Sequence, residues 1–202
     1  MMNGLSFTAT EAAAVTGLSV KAVNKAIENK LVPTKLERYG RIRKRYLSHI
    51  GLVCLQLEAK GTRLLPLQMR RRVFQMVIQA PRKDVIRHSE VLCIDLKTAR
   101  QAVASGLADL RKAKQMVSRD PEILNGTPVV RGTRVPVYLI ADMLKEGTTI
   151  QEVLEGYPSL TEESVRLAPL YARAFPRRGR PQKTARRKGV VRTRRRLHAV
   201  SL

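Results

Sequence analysis

The sequence predicts a mainly helical protein with short β-hairpins, arranged as two winged helix-turn-helix-like domains and a disordered basic tail. Three observations carry this prediction. Residues 7–47 show two short capped helices and then a basic hairpin pattern. Residues 117–175 show a hairpin pattern followed by three short helices, and residues 176–202 hold eleven basic residues and no acidic one. The expected segments are 1–80, 81–116, 117–175 and 176–202.

The charge of the chain indicates a polyanionic partner. The formal net charge is +23 over 202 residues, with 39 Lys and Arg against 16 Asp and Glu. Residues 1–80 carry 14 basic and 4 acidic groups, whereas residues 117–175 carry 6 basic and 8 acidic groups. The positive charge therefore lies at the two ends of the chain, and a slightly acidic segment separates them.

The first two helices have the start and stop signals of a helix-turn-helix. Thr8 with Glu11 three residues later predicts a capping box, and Gly17 predicts the end of the first helix. Ser19 is the predicted N-cap of a second helix over about 20–29. Polar side chains on the outward face of that helix suit phosphates and base edges. The predicted DNA-binding residues of this helix are Ser19, Lys21, Asn24 and Lys25.

A basic hairpin is predicted next, with strands over 35–39 and 41–46 and a turn at Gly40. Its six cations and single nearby acid are typical of a wing that follows a phosphate backbone. The alternative is a surface hairpin that is basic by chance. The predicted DNA-binding residues of the hairpin are Arg38, Arg41, Arg43, Lys44 and Arg45.

Residues 7–60 resemble the winged helix-turn-helix of the MerR and excisionase type. The resemblance rests on the runs at 7–13, Gly-Leu-Ser at 17–19 and Lys-Leu-Val-Pro at 30–33, followed by the basic hairpin. It implies that this part binds operator DNA. No long dimerisation helix or metal-ligand segment follows. Helices over 47–60 and 67–80 are expected to buttress the unit, and the arginine run at 70–72 is more typical of a solvated face.

Residues 81–116 are expected to form a hairpin over 84–96 and a helix over about 96–112, which link the domains or make dimer contacts. We expect both Cys54 and Cys93 to be small core residues and not a disulfide pair. The chain shows no membrane-length apolar stretch, and its first seven residues lack the features of a secretory signal. A cytoplasmic protein with no membrane partner is therefore expected.

Residues 117–175 contain the most distinctive motif of the chain. Asn125-Gly126 predicts a tight turn, and helices are expected over 137–146, after a capping box of Thr149 and Glu152, and after Thr161. Pro169 predicts a kink or a restart in the last helix. Acidic residues at solvent-facing or capping positions, with no histidine beside them, predict no metal site. These residues are Asp120, Asp142, Glu146, Glu152 and Glu155.

The same residues resemble a small bacterial and archaeal family that has been catalogued only as a domain of unknown function. The matching residues are Ile123, Leu124, Gly126, Pro128, the run 132–136, Gly147 and the run 157–161. The resemblance implies a VapB-like antitoxin whose partner is a toxin of the PIN ribonuclease fold.

The basic tail leaves three alternatives open. It is a generic solubilising segment, a minor-groove hook built on Arg-Gly-Arg-Pro at 178–181, or a segment that neutralises a nuclease by pairing with its metal-binding carboxylates. The resemblance to antitoxins favours the third. The predicted toxin-binding residues are Arg177, Arg178, Arg180, Arg186 and Arg187.

The sequence therefore predicts an antitoxin that binds operator DNA, represses its own transcription and neutralises a PIN-fold ribonuclease. The alternative is a DNA-binding regulator without a toxin partner. Neither hypothesis requires a cofactor. The sequence shows no motif of catalytic residues and no phosphate-binding glycine loop. A homodimer or a larger toxin–antitoxin assembly is expected, because helix-turn-helix repressors gain affinity by pairing half-sites.

Overall fold

A computed structural model describes residues 6–39, 42–90 and 93–177, and the chain is mainly helical. The helices are α1 Ala9–Thr16, α2 Val20–Glu28, α3 His49–Lys60, α4 Leu67–Gln79, α5 Leu96–Gln115, α6 Val137–Lys145, α7 Ile150–Gly156 and α8 Glu162–Ala174. The strands form antiparallel pairs: β1 Thr34–Tyr39 with β2 Ile42–Leu47, β3 Val85–Arg87 with β4 Cys93–Asp95, and β5 Val117–Ser118 with β6 Val129–Val130. The predicted mainly helical class with short β-hairpins is confirmed. Within these described residues, no helix is long and apolar enough to cross a bilayer.

Local capping fixes where the helices begin. The hydroxyl of Thr8 accepts a hydrogen bond from the Glu11 backbone N–H at 3.3 Å, and the Glu11 carboxylate accepts one from the Thr8 backbone N–H at 2.9 Å. Thr149 and Glu152 form the same reciprocal pair at the start of α7. Both predicted capping boxes are confirmed.

The first core lies between the β1–β2 hairpin and helices α1 to α5. Leu47 at the end of β2, Phe74 on α4 and Val103 on α5 are almost completely buried in it. Phe7 exchanges two backbone hydrogen bonds with Leu47, of 2.9 and 2.8 Å. The residues that precede α1 are thereby fixed to the edge of β2.

The second core is formed by residues 113–171, where α6, α7 and α8 cover the short β5–β6 pair. Ile140 on α6, Val153 on α7 and Val165 on α8 are fully buried. Tyr138 and Tyr171 lie in the same core with ring centroids 6.2 Å apart. The three helices therefore pack around one aromatic and aliphatic centre.

Helix α1 joins the two cores because it packs against both α5 and α8. Ala14, Leu110 and Ala174 form a small buried cluster at this junction. Gly106 allows α5 to approach α1 closely, because a Cβ added there would lie 3.0 Å from both Val15 Cγ1 and the Val15 carbonyl oxygen. The guanidinium of Arg173 on α8 donates to the Ala13 carbonyl at 3.1 Å.

Two details differ from the sequence predictions. Cys93 is exposed, because β4 is so short that only its middle residue, Ile94, faces the core; Cys54 is buried as expected. Helix α8 does not restart at Pro169 but continues to Ala174. Buried residues on both sides of the proline, Ala168 and Tyr171, supply packing that offsets the cost of about 3 kcal/mol for a proline inside a helix.

Candidate nucleic-acid interface

Helix α2 buries one face and exposes a polar one. Val23, Ala26 and Ile27 are buried against the first core. The side chains of Lys21, Asn24 and Lys25 lie on the opposite face and are exposed. Ser19 caps the helix by accepting a hydrogen bond from Ala22 N–H at 3.1 Å. The structure therefore brings the four residues predicted for this helix together at its start and on its free face.

The β1–β2 hairpin separates its charged side chains onto two faces. Arg38 lies opposite Arg43 and Leu36 opposite Arg45, and because side chains alternate along a strand these four residues share one face. On the other face Glu37 lies opposite Lys44, and the ammonium of Lys35 is 3.2 Å from the Glu37 carboxylate. The predicted group of hairpin cations is thus divided, with Lys44 apart from the arginines. Arg41 lies outside the described residues.

Three arginines on the first face form the most concentrated free charge of the hairpin. Arg38, Arg43 and Arg45 are exposed, and within the part of the chain that the structure describes none of them has a carboxylate within 4.0 Å. Like charges directly opposite each other on an antiparallel pair destabilise it. This face is therefore electrostatically unfavourable by itself and is suited to an anionic partner. We name Arg38, Arg43 and Arg45 the arginine face.

The arginine run on α4 has a structural role that sequence analysis did not predict. Arg70 forms an ion pair of 2.5 Å with Glu58 on α3, and both side chains are mostly buried. Arg71 donates two hydrogen bonds, of 3.3 and 3.2 Å, to the carbonyl of Asn29 at the end of α2. No local sequence pattern could have predicted these contacts, because Glu58 lies 12 residues from Arg70 and Asn29 lies 42 residues from Arg71. Arg70 therefore joins α4 to α3, and Arg71 joins α4 to the end of α2, so both are poor candidates for ligand contacts.

A cleft of about 830 Å³ opens between the start of α1 and the C-terminal core. Arg119 donates to the Tyr171 hydroxyl at 3.2 Å, and the Tyr138 hydroxyl donates to the Phe175 carbonyl at 2.7 Å. Burial raises the pKa of the Tyr138 hydroxyl, so it stays a neutral donor. Arg177 lies 4.8 Å above the Tyr138 ring.

Arg177 is the one predicted toxin-binding residue that the structure describes. Its guanidinium is 3.1 Å from the Asp142 carboxylate on α6, and both side chains are about half exposed. Arg178, Arg180, Arg186 and Arg187 lie outside the described residues.

No candidate metal centre is found among the described residues. They contain no group of three or more His, Cys, Asp or Glu side chains that could hold a metal ion. Of the acidic residues predicted to be solvated or capping, Glu152 caps α7 and Asp142 pairs with Arg177. Burial raises the pKa of the Cys54 thiol to about 12, which makes it a poor nucleophile.

Comparison with known proteins places the chain among relatives of unknown function. Residues 117–172 match the sequence model of a family described as a protein of unknown function, DUF433. The chain is 35% identical over 182 residues to the uncharacterized protein y4eO of Sinorhizobium fredii (strain NBRC 101917 / NGR234), covering 85% of this chain and 82% of y4eO. The chain belongs to the DUF433 family.

The DUF433 match divides the candidate site residues. All predicted DNA-binding residues precede it, whereas Arg119, Tyr138 and Tyr171 of the cleft lie within it. An X-ray crystal structure of Rv2018 from Mycobacterium tuberculosis is 16% identical and covers 81% of this chain and 96% of its own, with a TM-score of 0.34.

Proposed function

We propose that this DUF433 protein is a DNA-binding repressor and the antitoxin of a toxin–antitoxin pair. In this proposal α1, α2 and the β1–β2 hairpin act as a winged helix-turn-helix. Helix α2 enters the major groove and the hairpin is the wing. The DUF433 region, residues 117–172, and the residues that follow it bind a PIN-fold ribonuclease. DNA binding and toxin binding are separate parts of the proposal and are tested separately.

The arginine face is the observation that carries the DNA-binding part. Its three exposed cations lie on one face of a short hairpin without carboxylate partners in the described structure. Binding to a phosphate backbone relieves the repulsion between Arg38 and Arg43, and it also releases the counterions that are condensed on the DNA. Three such contacts would give a slope of about −3 for log affinity against log salt concentration.

Helix α2 supports a role in sequence recognition. Lys21, Asn24 and Lys25 carry the donors and acceptors that contact base edges and phosphates. The short helix α7 of the DUF433 region offers a contrast, because its exposed side chains include Gln151, Glu152 and Glu155. Helix α7 has two glutamates and no cation, so it repels phosphates, whereas the two lysines of α2 outweigh its single exposed carboxylate, Glu28. Helix α7 is therefore a better candidate for contacts with a protein.

The antitoxin part of the proposal rests on the motif residues of the DUF433 region and on the basic residues that follow it. The run at 132–136 and the run at 157–161 are the residues that resemble antitoxin-associated domains. Eleven basic residues follow at 176–202, and arginine can pair bidentately with the metal-binding carboxylates of a nuclease. Arg177 already pairs with a carboxylate, that of Asp142.

Competition binding with two labelled duplexes tests the DNA-binding part. One duplex comes from the DNA upstream of the gene and the other is a scrambled sequence of the same composition. Alanine at positions 21, 24 and 25 should abolish the preference for the upstream duplex, and alanine at 38, 43 and 45 should weaken binding to both duplexes equally. A wild-type protein that binds neither duplex in a salt-dependent way would refute the proposal.

A tagged chain expressed from its native locus tests the antitoxin part. The expected result is co-purification of a small protein whose ribonuclease activity appears when the complex is dissociated. Upstream DNA binding with no co-purifying ribonuclease would support a regulator without a toxin partner instead.

A further inference from the structure

Helix α1 of the proposed DNA-binding unit lies between two arginines, Arg119 of the DUF433 region and Arg173, which directly follows that region on α8. Arg119 lines the cleft at the start of α1 together with Thr8 and Thr10. Arg173 lines a groove at the other end of α1, beside Gly17, Ser19 and Val20, which form the turn into α2. The C-terminal part of α8 therefore lies next to the residues that precede and begin α2.

Each of the two arginines makes one hydrogen bond within the described part of the chain and has no ion-pair partner there. Arg119 donates to the Tyr171 hydroxyl and Arg173 donates to the Ala13 carbonyl, which are neutral acceptors. Neither guanidinium has a carboxylate within 4.0 Å among the described residues, and both side chains belong to exposed residues. A guanidinium has several N–H donors, so donors remain for a ligand at both positions.

The cleft beside Arg119 and the groove beside Arg173 are lined by described residues that include no carboxylate. The described residues that line the cleft include Thr8, Thr10, Thr127 and Tyr138 but no Asp or Glu, and the groove beside Ser19 is lined without an acidic residue as well. Arg177 also lines the cleft, but Asp142 neutralises it. The chemistry of the two sites therefore suits an anion with oxygen acceptors.

The geometry of a helix-turn-helix on DNA identifies that anion. The second helix presents its N-terminal residues to the bases, while the first helix crosses the phosphate backbone. Helix N-termini also attract phosphates through their free N–H groups and the helix dipole. If α2 enters the groove at Ser19, the phosphates that flank the site pass over α1 and meet both arginines.

We propose that Arg119 and Arg173 are phosphate-contacting residues, so that the DUF433 region forms part of the DNA interface and is not only a protein-binding module. This inference rests on the proposed DNA-binding function. It predicts that the protein contacts more of the DNA phosphate backbone than the helix-turn-helix and wing would contact alone. It also predicts that the added contacts do not depend on the DNA sequence.

The test measures fluorescence anisotropy of a labelled mixed-sequence duplex with the full chain, at salt concentrations between about 50 and 200 mM. The double variant Arg119→Gln, Arg173→Gln should reduce the magnitude of the salt slope by about two, or about one for each arginine. Arg166→Gln is the matched control: Arg166 is an exposed arginine on α8 that lines neither groove, and its variant should keep the wild-type slope.

The double lysine variant separates charge from structure, because lysine neutralises a phosphate as a point charge. The double variant Arg119→Lys, Arg173→Lys should keep the wild-type salt slope, whereas the double glutamine variant should not. An unchanged slope in the glutamine double variant, with salt-dependent binding by the wild type, overturns this inference and leaves the proposed function standing. If the lysine variant shows the same reduction in salt slope as the glutamine variant, the inference is also overturned, because the loss of positive charge would then not explain the reduction. A wild type that does not bind DNA refutes the proposed function itself.

Discussion

The ammonium of Lys114 lies 2.8 Å from the carboxylate of Glu11, 103 residues earlier in the chain. Lys114 belongs to the last turn of α5, and Glu11 belongs to the first turn of α1. The same carboxylate accepts hydrogen bonds of 2.9 Å from both the backbone N–H and the hydroxyl of Thr8. One buried carboxylate thus completes the cap of α1 and joins α1 to the helix that leads into the DUF433 region.

The first prediction concerns the pH dependence of this contact. Burial raises the pKa of Glu11, but hydrogen bonds from Lys114 and Thr8 outweigh it, and the pKa lies below its usual 4.5. A carboxyl group whose pKa is lowered by folding stabilises the fold above its unfolded pKa, and the contribution is lost as the pH falls through the folded pKa. We expect Glu11→Gln to lower the free energy of unfolding at neutral pH by about 1–3 kcal/mol.

Urea denaturation at neutral pH and at about pH 3 checks this prediction. The difference between wild type and variant in the free energy of unfolding should narrow at the lower pH, because the contribution of the ionised carboxylate decreases once the pH falls below the unfolded pKa of Glu11. Glu163→Gln is the matched control, since Glu163 is also a first-turn carboxylate paired with a lysine of α5, Lys112, at 2.7 Å, but is exposed. Equal effects of the two variants would show that burial and capping at Glu11 contribute nothing.

The elements could be predicted from the sequence wherever their signals are local. Thr8 with Glu11 and Thr149 with Glu152 lie three residues apart, and a capping box depends on nothing further away. The hairpin strands follow from a run of basic and aromatic residues around Gly40. These predictions succeeded because each is decided within one or two turns of chain.

The features that the sequence did not reveal depend on distant partners. The packing of α1 against α8 joins residues about 160 positions apart, such as Ala13 and Arg173. The exposure of Cys93 depends on which face of a three-residue strand meets the core. The division of the hairpin cations into two faces depends on the strand register, which pairs Arg38 with Arg43. None of these relations has a signal within a short window of sequence.

The second prediction concerns the two faces of the hairpin. Arg43→Gln should weaken DNA binding about tenfold at low salt while leaving the melting temperature unchanged or slightly higher, because it removes the repulsion from Arg38. Lys35→Gln is the matched control on the opposite face, where Lys35 pairs with Glu37, and it should leave DNA affinity nearly unchanged. Anisotropy titrations and thermal melts of both variants provide the measurements. Equal losses of affinity would contradict the proposed orientation of the hairpin on DNA.

The third prediction concerns the close approach of α5 to α1. Gly106→Ala should destabilise the protein by about 1–3 kcal/mol, although alanine is the better helix former, because its Cβ would lie 3.0 Å from the Val15 carbonyl oxygen. Gly51→Ala on α3 is the control, since a Cβ there meets its nearest neighbour, Leu47, at an ordinary 3.5 Å. That variant should be neutral or stabilising. A stabilising effect of Gly106→Ala in urea denaturation would show that α1 and α5 can separate at little cost.

The last prediction concerns the residues after Arg177 and decides between a nuclease and DNA as their partner. Residues 178–202 contain ten basic side chains and no acidic one. They follow directly on α8, so they are tethered near whatever the DUF433 region binds, and tethering raises their local concentration to the order of millimolar. Arginine pairs bidentately with carboxylates, which suits the acidic, metal-binding groove of a PIN-fold ribonuclease. Pro176, however, also lines the groove beside Ser19, which would place the same residues close to DNA.

A chain that ends at Arg177 separates the two partners and keeps the contacts of Arg177 with Asp142 and Tyr138. We expect this truncated chain to retain most of its DNA affinity and salt slope but to lose most of its inhibition of the co-purifying ribonuclease. If about six of the removed cations contacted phosphates, the slope would instead change by about 5. A second chain with Arg178, Arg180, Arg186 and Arg187 replaced by glutamine keeps the length and should show the same loss of inhibition. Intact inhibition together with a collapsed salt slope would assign these residues to DNA, because the same cations cannot fill both roles at once.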